Sequence, residues 1–569
     1  MIVRMKHLDL VCVASESDAA LERLRSLGAV HLDLASAQGA EVAAAKGEAA
    51  DAERAVRLIA KAREAKEYAD SLTRIPASVE DVLKLASRIE ELKTSADSIG
   101  REIKKFAPYG DFDPELAKTL LEKLGDDLKA VAELPDPLPS RRLSKMRSEL
   151  ESVESEIVSA TAKLAACDEE SIVSRFPELA DRIAFSAAKE LVSSQGAVSF
   201  VSGWVPVTKV EDLRAAASSN GWGTLLRDPA PGETPPTLIE PPRLFRPVKA
   251  LFDGLGVAPA YTESDVSVPF MCYFSLFFAM LVGDGGYGAI MFALTLFGWF
   301  KAGAKAAARP WLILMTVFSL ATIGWGLLSN TWFGAALPCC ASWPTVQWLA
   351  DPSYHTMMFL CFTIGASHLI LARLWNAACM LNSTTCLAQV GWAGVLLCMY
   401  WVTCGIVGIF QGPLDEAALA ALPEASRTIA WVPTTPGWFF PVFGVSVALV
   451  FLFSVPFREL KTRGAELGML PLNIMSALGD IISYVRLFAV GLASVKVAQN
   501  FNDMAVGLDM PLWAKIVPML FILLVGHGLN FAMAGLSILV HAVRLNTLEF
   551  SNHKGVSWSG YAFSPFRRR

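Results

Sequence analysis

Two hydrophobic patterns divide the chain. Up to about residue 267, apolar positions are interspersed with many charges; from 268 to 550 they run almost without a break. The first region opens with His7–Val13, an alternating, β-prone stretch that predicts a strand. Glu16–Leu27 predicts a short helix and Ala29–Leu34 a second strand, together a small α/β lobe. About Gln38–Arg74, Val79–Lys105 and Pro139–Cys167 are rich in Ala, Glu, Lys and Arg with narrow apolar seams, such as Leu83, Leu85, Ile89 and Leu92. A narrow seam suits helices paired as a coiled coil, and the turn-rich stretches at 107–114 and 134–140 favour an antiparallel hairpin over one rod. Strand Ala197–Val205 and a helix near Val210–Asn220 predict a second α/β lobe, and the Pro-rich Pro229–Pro247 a linker.

In the second region seven apolar blocks stand out, at 268–300, 310–334, 355–377, 386–410, 437–457, 471–503 and 512–547. A spanning helix needs about 20 residues. Seven crossings from an inside N-terminus would place Lys301, Lys305, Arg309 and the C-terminal Arg567, Arg568 and Arg569 outside, against the positive-inside rule. The conflict disappears if the first block crosses twice, turning at Gly283, Asp284, Gly285, Gly286 and Gly288. Eight crossings then leave Arg373, Arg458, Lys461, Arg463 and the tail inside, while the outside loops are mainly acidic. The fold class is therefore mainly α: a cytosolic antiparallel coiled coil with two small α/β lobes, then an eight-helix transmembrane domain whose two final helices are long and tilted. The domains are 1–267, 268–550 and a cytosolic tail 551–569.

Composition removes several function classes. The net charge of −5 argues against a nucleic-acid partner. Only Cys12 and Cys167 of the ten cysteines lie in the polar half, too few for a disulfide framework, so that half reads as cytosolic. Cys339–Cys340 reads as incidental, and no His/Cys spacing suits a metal. The N-terminus lacks the apolar core of a signal peptide. Gly283, Gly285 and Gly288 satisfy G-x-G-x-x-G, but their flanks are membrane segments, so they predict no nucleotide site; no Walker A sequence occurs.

Candidate chemistry lies in the last two blocks. Arg486 sits near the middle of 471–503, where a charge costs several kcal/mol and must face protein or water. A structural Arg paired with an acid such as Asp480 is the plainer alternative. Gly479, Ala493 and Asn500 share its helix face at spacings of seven and Ala489 lies beside it, so a neighbouring helix can approach closely. On the last helix His527, Asn530, Ala534, Ser537, His541 and Arg544 recur at spacings of three and four, a polar stripe that predicts a polar path through the membrane.

Ser483-Tyr484-Val485-Arg486-Leu487-Phe488-Ala489-Val490-Gly491-Leu492-Ala493 closely resembles the Arg-bearing helix of subunit a/I of V-type and A-type rotary ATPases, and His541-Ala542-Val543-Arg544-Leu545-Asn546-Thr547-Leu548-Glu549-Phe550 resembles that family's last helix. Met1–Leu34, Gly203-Trp204-Val205-Pro206, the turn from Val282 to Gly288, Gly324-Trp325-Gly326-Leu327-Leu328 and Trp332-Phe333-Gly334 also look like the family, in the same order. The resemblance implies a non-catalytic stator subunit of a proton- or sodium-translocating ATPase, without cofactor or metal. Its partners would be a membrane rotor ring of c/K-type subunits, peripheral stalks of E/G type, a d/C-type central rotor cap and, indirectly, a soluble ATPase head. It implies that Arg486 makes each passing ring carboxylate release its ion, that Arg544 assists, and that His541, Ser537, Asn530, His527 and Ser483 line the ion path. It also implies a plasma-membrane location in a bacterium or archaeon, since the chain is compact beside eukaryotic members. Ser494 and Ala534 stand where some relatives have His and Glu, which leaves the ion's entry route open. A secondary ion transporter with a cytosolic coiled-coil regulatory domain is the rival reading; it predicts an internal repeat, and none is visible.

Overall fold

The computed structural model describes residues 2–64, 74–124, 138–303, 305, 308–455, 465–509 and 511–568. The basic positions 458, 461 and 463, the residues 65–73 that end the first long polar stretch and the turn residues 134–137 lie outside them. The chain is mostly helical and divides into two compact units: Met5–Ala230 with Ser564–Arg569, and Met1–Arg4 with Pro231–Phe563. This boundary follows packing, whereas 267/268 follows hydropathy.

In the first unit β1 (Met5–Val13) is followed by helices α1 (Ser17–Leu27), α2 (Ala40–Glu64), α3 (Val79–Phe106), α4 (Leu143–Ala166) and α5 (Phe176–Glu190). Then come β2 (Ser193–Gln195), β3 (Val198–Pro206), α6 (Val210–Asn220) and β4 (Gly223–Arg227). The two segments expected to be separate α/β lobes build one antiparallel sheet of order β2-β3-β1-β4. β1 runs against β3 from Met5↔Pro206 to Val13↔Val198 and against β4 from His7↔Arg227 to Val11↔Gly223. The reason is burial: Leu8, Leu10 and Cys12 alternate on one face of β1 and need more cover than α1 alone, which Leu213 and Ala217 of α6 supply. Ala29–Leu34 is a second correction. It forms no strand; His31 makes a single bridge to Trp204.

The long polar helices pack through small residues. Ala52, Ala55 and Ile59 of α2 are buried against Val82 and Ile89 of α3 and Leu164 of α4. Contacts between α3 and α4 run in opposite senses along the chain. Ile75 N donates to Ala166 O at 2.9 Å, Arg88 pairs with Glu156 at 3.5 Å, and Phe106 clusters with Leu143 and Met146. Residues 564–568 complete the unit: Phe566 is buried in the sheet's core, and Ser564 N donates to His31 Nδ1 at 3.0 Å.

In the second unit the apolar elements are α7 (Ser267–Val282), α8 (Gly285–Ala302), α9 (Arg309–Ser329), α10 (His355–Cys379), α11 (Thr385–Ile406), α12 (Phe439–Phe453), α13 (Leu470–Ile482), α14 (Val485–Val506) and α15 (Leu512–Ser537). Among the described residues five helices are long and apolar enough to cross a membrane, counting Leu470–Val506 and Trp513–Lys554 as one each. α7 and α8 pass that test as a pair and are bent by 119° at their junction; α12 is a shorter apolar helix. This is a multi-pass membrane unit with five or six such spans. The bend has a local cause. Gly283 adopts φ +70°, a left-handed conformation that ends α7, and Asp284 caps α8 by accepting from Gly286 N at 2.7 Å. The same buried carboxylate accepts from Phe333 N and Gly334 N, each at 2.8 Å, so three backbone donors hold it. A Cβ on Gly326 of α9 would lie 2.2 Å from Gly285 Cα, so only glycine permits this contact between α8 and α9.

Candidate functional site

Arg486 lies just after an irregular turn. Between α13 and α14, Arg486 N bonds Ser483 O at 3.3 Å and Leu487 N bonds Tyr484 O at 3.0 Å, the tighter 3₁₀ pattern. Ser483 Oγ donates to Asp480 O at 2.6 Å, and Arg486 Nε donates to Ser483 O at 2.9 Å. The guanidinium thus leaves the helix at a defined angle. Gly479, Ala489 and Ala493 are exposed, and a Cβ on Gly479 would meet nothing within 4 Å, so this face is open on the unit's surface.

The last helix changes its winding where it approaches Arg486. α15 ends at Ser537 and continues through two π-helical turns, Ile538–Ala542 and Leu545–Phe550. A π turn brings residues five apart together. Glu549 Oε1 accordingly lies 3.3 Å from Arg544 Nε, and it accepts from Arg486 Nη2 at 2.7 Å. Glu549 is 6% exposed, Arg486 21% and Arg544 56%. His541 is half-buried and within electrostatic range of both arginines. Ser537 is half-buried at the end of α15.

The polar stripe divides into two groups. His541 and Arg544 belong with Arg486. His527 and Asn530, separated from them by the buried Ala534, join a different network. Tyr287 Oη lies 2.8 Å from His527 Nδ1 and accepts from Asn530 Nδ2 at 2.9 Å. Asn530 Nδ2 also donates to Ser494 O at 2.8 Å, its Oδ1 accepts from Ser494 Oγ at 3.2 Å, and His527 Nε2 lies 3.1 Å from Asn502 Oδ1. Ser494, notable in the sequence only as a departure from relatives, is a central member.

A third polar group lies on the other side of Arg486 along the chain. Arg373 Nε donates to His553 Nδ1 at 3.1 Å, and His553 Nε2 lies 2.9 Å from Asp480 Oδ2. Because Nδ1 accepts from an arginine, Nε2 carries the ring proton and donates to Asp480. These residues line a cavity of about 560 Å³ with Asn473, Ser476 and Asn552. Sequence reasoning missed His553, Tyr287 and Glu549 as site residues and gave Asp480 only as a possible partner of Arg486. The structure pairs Asp480 with His553 and gives Arg486 to Glu549.

No family model matches the chain. Comparison with curated proteins does find relatives. V-type ATP synthase subunit I 1 of Treponema pallidum is 28% identical, with the whole of both chains covered. V-type ATP synthase subunit I of Borreliella burgdorferi is 32% identical over 65% of this chain and 60% of its own length. The chain is a homologue of subunit I of V-type and A-type ATP synthases. A-type ATP synthase subunit I of Methanocaldococcus jannaschii is a further relative, 24% identical over 80% of this chain and 69% of its own. These relatives are named as subunits of ATP synthases.

Proposed function

We propose that this protein is the stator against which a ring of carboxylate-bearing subunits turns, and that Arg486 is the fixed charge at which each carboxylate gives up its ion. One observation carries the reading: a guanidinium deep in an apolar unit, beside an open surface of Gly479, Ala489 and Ala493. A ring carboxylate facing lipid must stay neutral by holding its ion, because a bare charge there is costly. It ionises only where a fixed positive charge stabilises the anion. Open small residues admit the ring to that charge. Arg544 assists, with His541, Ser537 and Ser483 beside the path.

The two other polar groups are the access routes. One runs by Asp480, His553 and Arg373; the other by Ser494, Asn530, His527 and Tyr287. They join the chain on either side of Arg486, which prevents an ion passing directly between them. The arms α7 and α8 each cross the membrane, and with α12 and the five long helices they make eight crossings with both termini inside. Leu470–Val506 and Trp513–Lys554, at 37 and 42 residues, exceed one bilayer thickness and tilt. Residues 1–267 form a cytosolic arm whose antiparallel helices act as a coiled-coil lever. That arm anchors the peripheral stalks and meets the central rotor cap; 268–550 translocate ions, and 551–569 form a cytosolic tail whose first residues, His553 among them, border the first route. The ion is a proton or sodium.

The test is ion uptake into vesicles containing the reconstituted complex, with ATP hydrolysis followed in parallel. Arg486→Ala is expected to abolish uptake while the complex still assembles. Full uptake by Arg486→Ala would overturn the reading.

A further inference from the structure

We infer that Glu549 is a positioning residue that holds Arg486 between visits of the ring carboxylates and keeps the site at one net positive charge, an inference that rests on the reading of Arg486 above. Arg486 is not a bare cation awaiting a partner. Glu549 Oε1 accepts from its Nη2 at 2.7 Å and lies 3.3 Å from the Nε of Arg544 as an ion pair. The strongest arginine–carboxylate pairs are bidentate, each carboxylate oxygen meeting its own N–H. Here one oxygen is shared by two arginines, while Oε2 is buried with no hydrogen-bond partner among the described residues. Such a carboxylate binds Arg486 firmly enough to orient it and loosely enough to release it.

Other charged and titratable groups near this cluster do not supply the same balance. Asp480 is committed to His553, which also accepts from Arg373 of α10. Tyr484 Oη lies 2.9 Å from His368 Nδ1, and His368 is stacked on Phe550 and on Tyr273 of α7. His541 lies near the two arginines and brings no negative charge to them. Among the described residues Glu549 is the acid left to Arg486 and Arg544, so two positive charges and one negative give a net charge of one positive. An arriving ring carboxylate makes the site neutral; Arg486 swings to it, and Glu549 keeps Arg544. Without Glu549 the site carries two positive charges, and the ring carboxylate stays ionised and bound where it should take up an ion and move on.

The charge count yields a readout that loss of packing would not move. In the whole reconstituted complex, Glu549→Gln is expected to slow ATP-driven uptake several-fold. It should also move the half-maximal point for ion loading by about one pH unit toward acid, or to about tenfold higher sodium if sodium is carried. Glu549→Gln with Arg544→Gln restores one net positive charge and is expected to return the half-point toward its original place. Where the single variant does not assemble, charge balance requires that the double variant assemble. An unmoved half-point in Glu549→Gln, at whatever rate, overturns the inference, as does a double variant that neither returns the half-point nor assembles. Arg486→Ala measured alongside separates the two levels: full uptake there overturns the reading of Arg486 itself, whereas loss of uptake there with an unmoved half-point in Glu549→Gln removes only the role given to Glu549.

Discussion

Arg182 and Glu48 of the first unit are joined by two hydrogen bonds, 2.7 and 3.2 Å long, with 54% and 50% of their side chains open to solvent. Arg486 and Glu549 of the second unit are joined by one of 2.7 Å, and Glu549 is 6% exposed. By geometry alone the first pair is the better one. Its surroundings make it the less important, because water solvates both partners whether or not they meet, and such pairs contribute about 0–1 kcal/mol. In the second unit a partner lost leaves a charge that water reaches poorly, at a cost of about 3–5 kcal/mol for a buried pair. The medium, more than the contact, decides what a charge can do. A charge held in an apolar unit is costly to keep, which makes it a marker for function.

The largest effect is expected at Arg486. Arg486→Lys keeps the charge but shortens the side chain, replaces the planar fork by a point charge and can lose its proton when desolvated. Uptake is expected to fall nearly as far as in Arg486→Ala; a lysine variant that pumps normally would show that charge alone suffices. Next is Tyr287→Phe, which removes the hydroxyl that meets both His527 and Asn530. Leaving buried polar groups unpaired costs about 1–3 kcal/mol. Uptake should slow several-fold with assembly intact, and the detergent-solubilised complex should lose thermal stability.

A smaller, pH-dependent effect is expected in the first unit. Burial pushes His31 below its ordinary value, partly offset by the Ser564 carbonyl and Asp33. A histidine lowered in the folded state stabilises it fully above the unfolded value of about 6.5 and loses that contribution as pH falls through the folded value. Protonation also removes the acceptor for Ser564 N. Protection of the Ser564 and Phe566 amides from hydrogen exchange, taken relative to the intrinsic rate at each pH, should therefore fall as pH drops below about 6.5. Protection that does not change with pH would argue against this coupling. The smallest effect is expected for Arg182→Ala, within about 1 kcal/mol of the parent by chemical denaturation. A larger loss would mean that exposed pairs matter more on the long helices than their solvation implies.

Much of this was open to a reader of the residues alone. Hydropathy separates a charged helical half from an apolar one, and the glycines at 283–288 mark a break inside an apolar block. Arg486 is conspicuous because a lone charge among apolar neighbours is costly wherever the chain folds. Gly479, Ala489 and Ala493 follow from helical periodicity. These are local properties: they depend on one segment and on the membrane around it.

The partners were decided elsewhere. Glu549 lies five residues after Arg544, which an α-helix places about 140° apart; only the π turn at Leu545–Phe550 brings them together. Asp480, His553 and Arg373 meet from three helices, and Tyr287 reaches His527 across 240 residues of chain. β1 similarly finds β3 and β4 about two hundred residues away and makes one sheet of two expected lobes. Periodicity tells which face of a helix must be covered or may carry charge, because that follows from backbone geometry. It is silent on which distant group arrives there, because that depends on how several such faces pack at once.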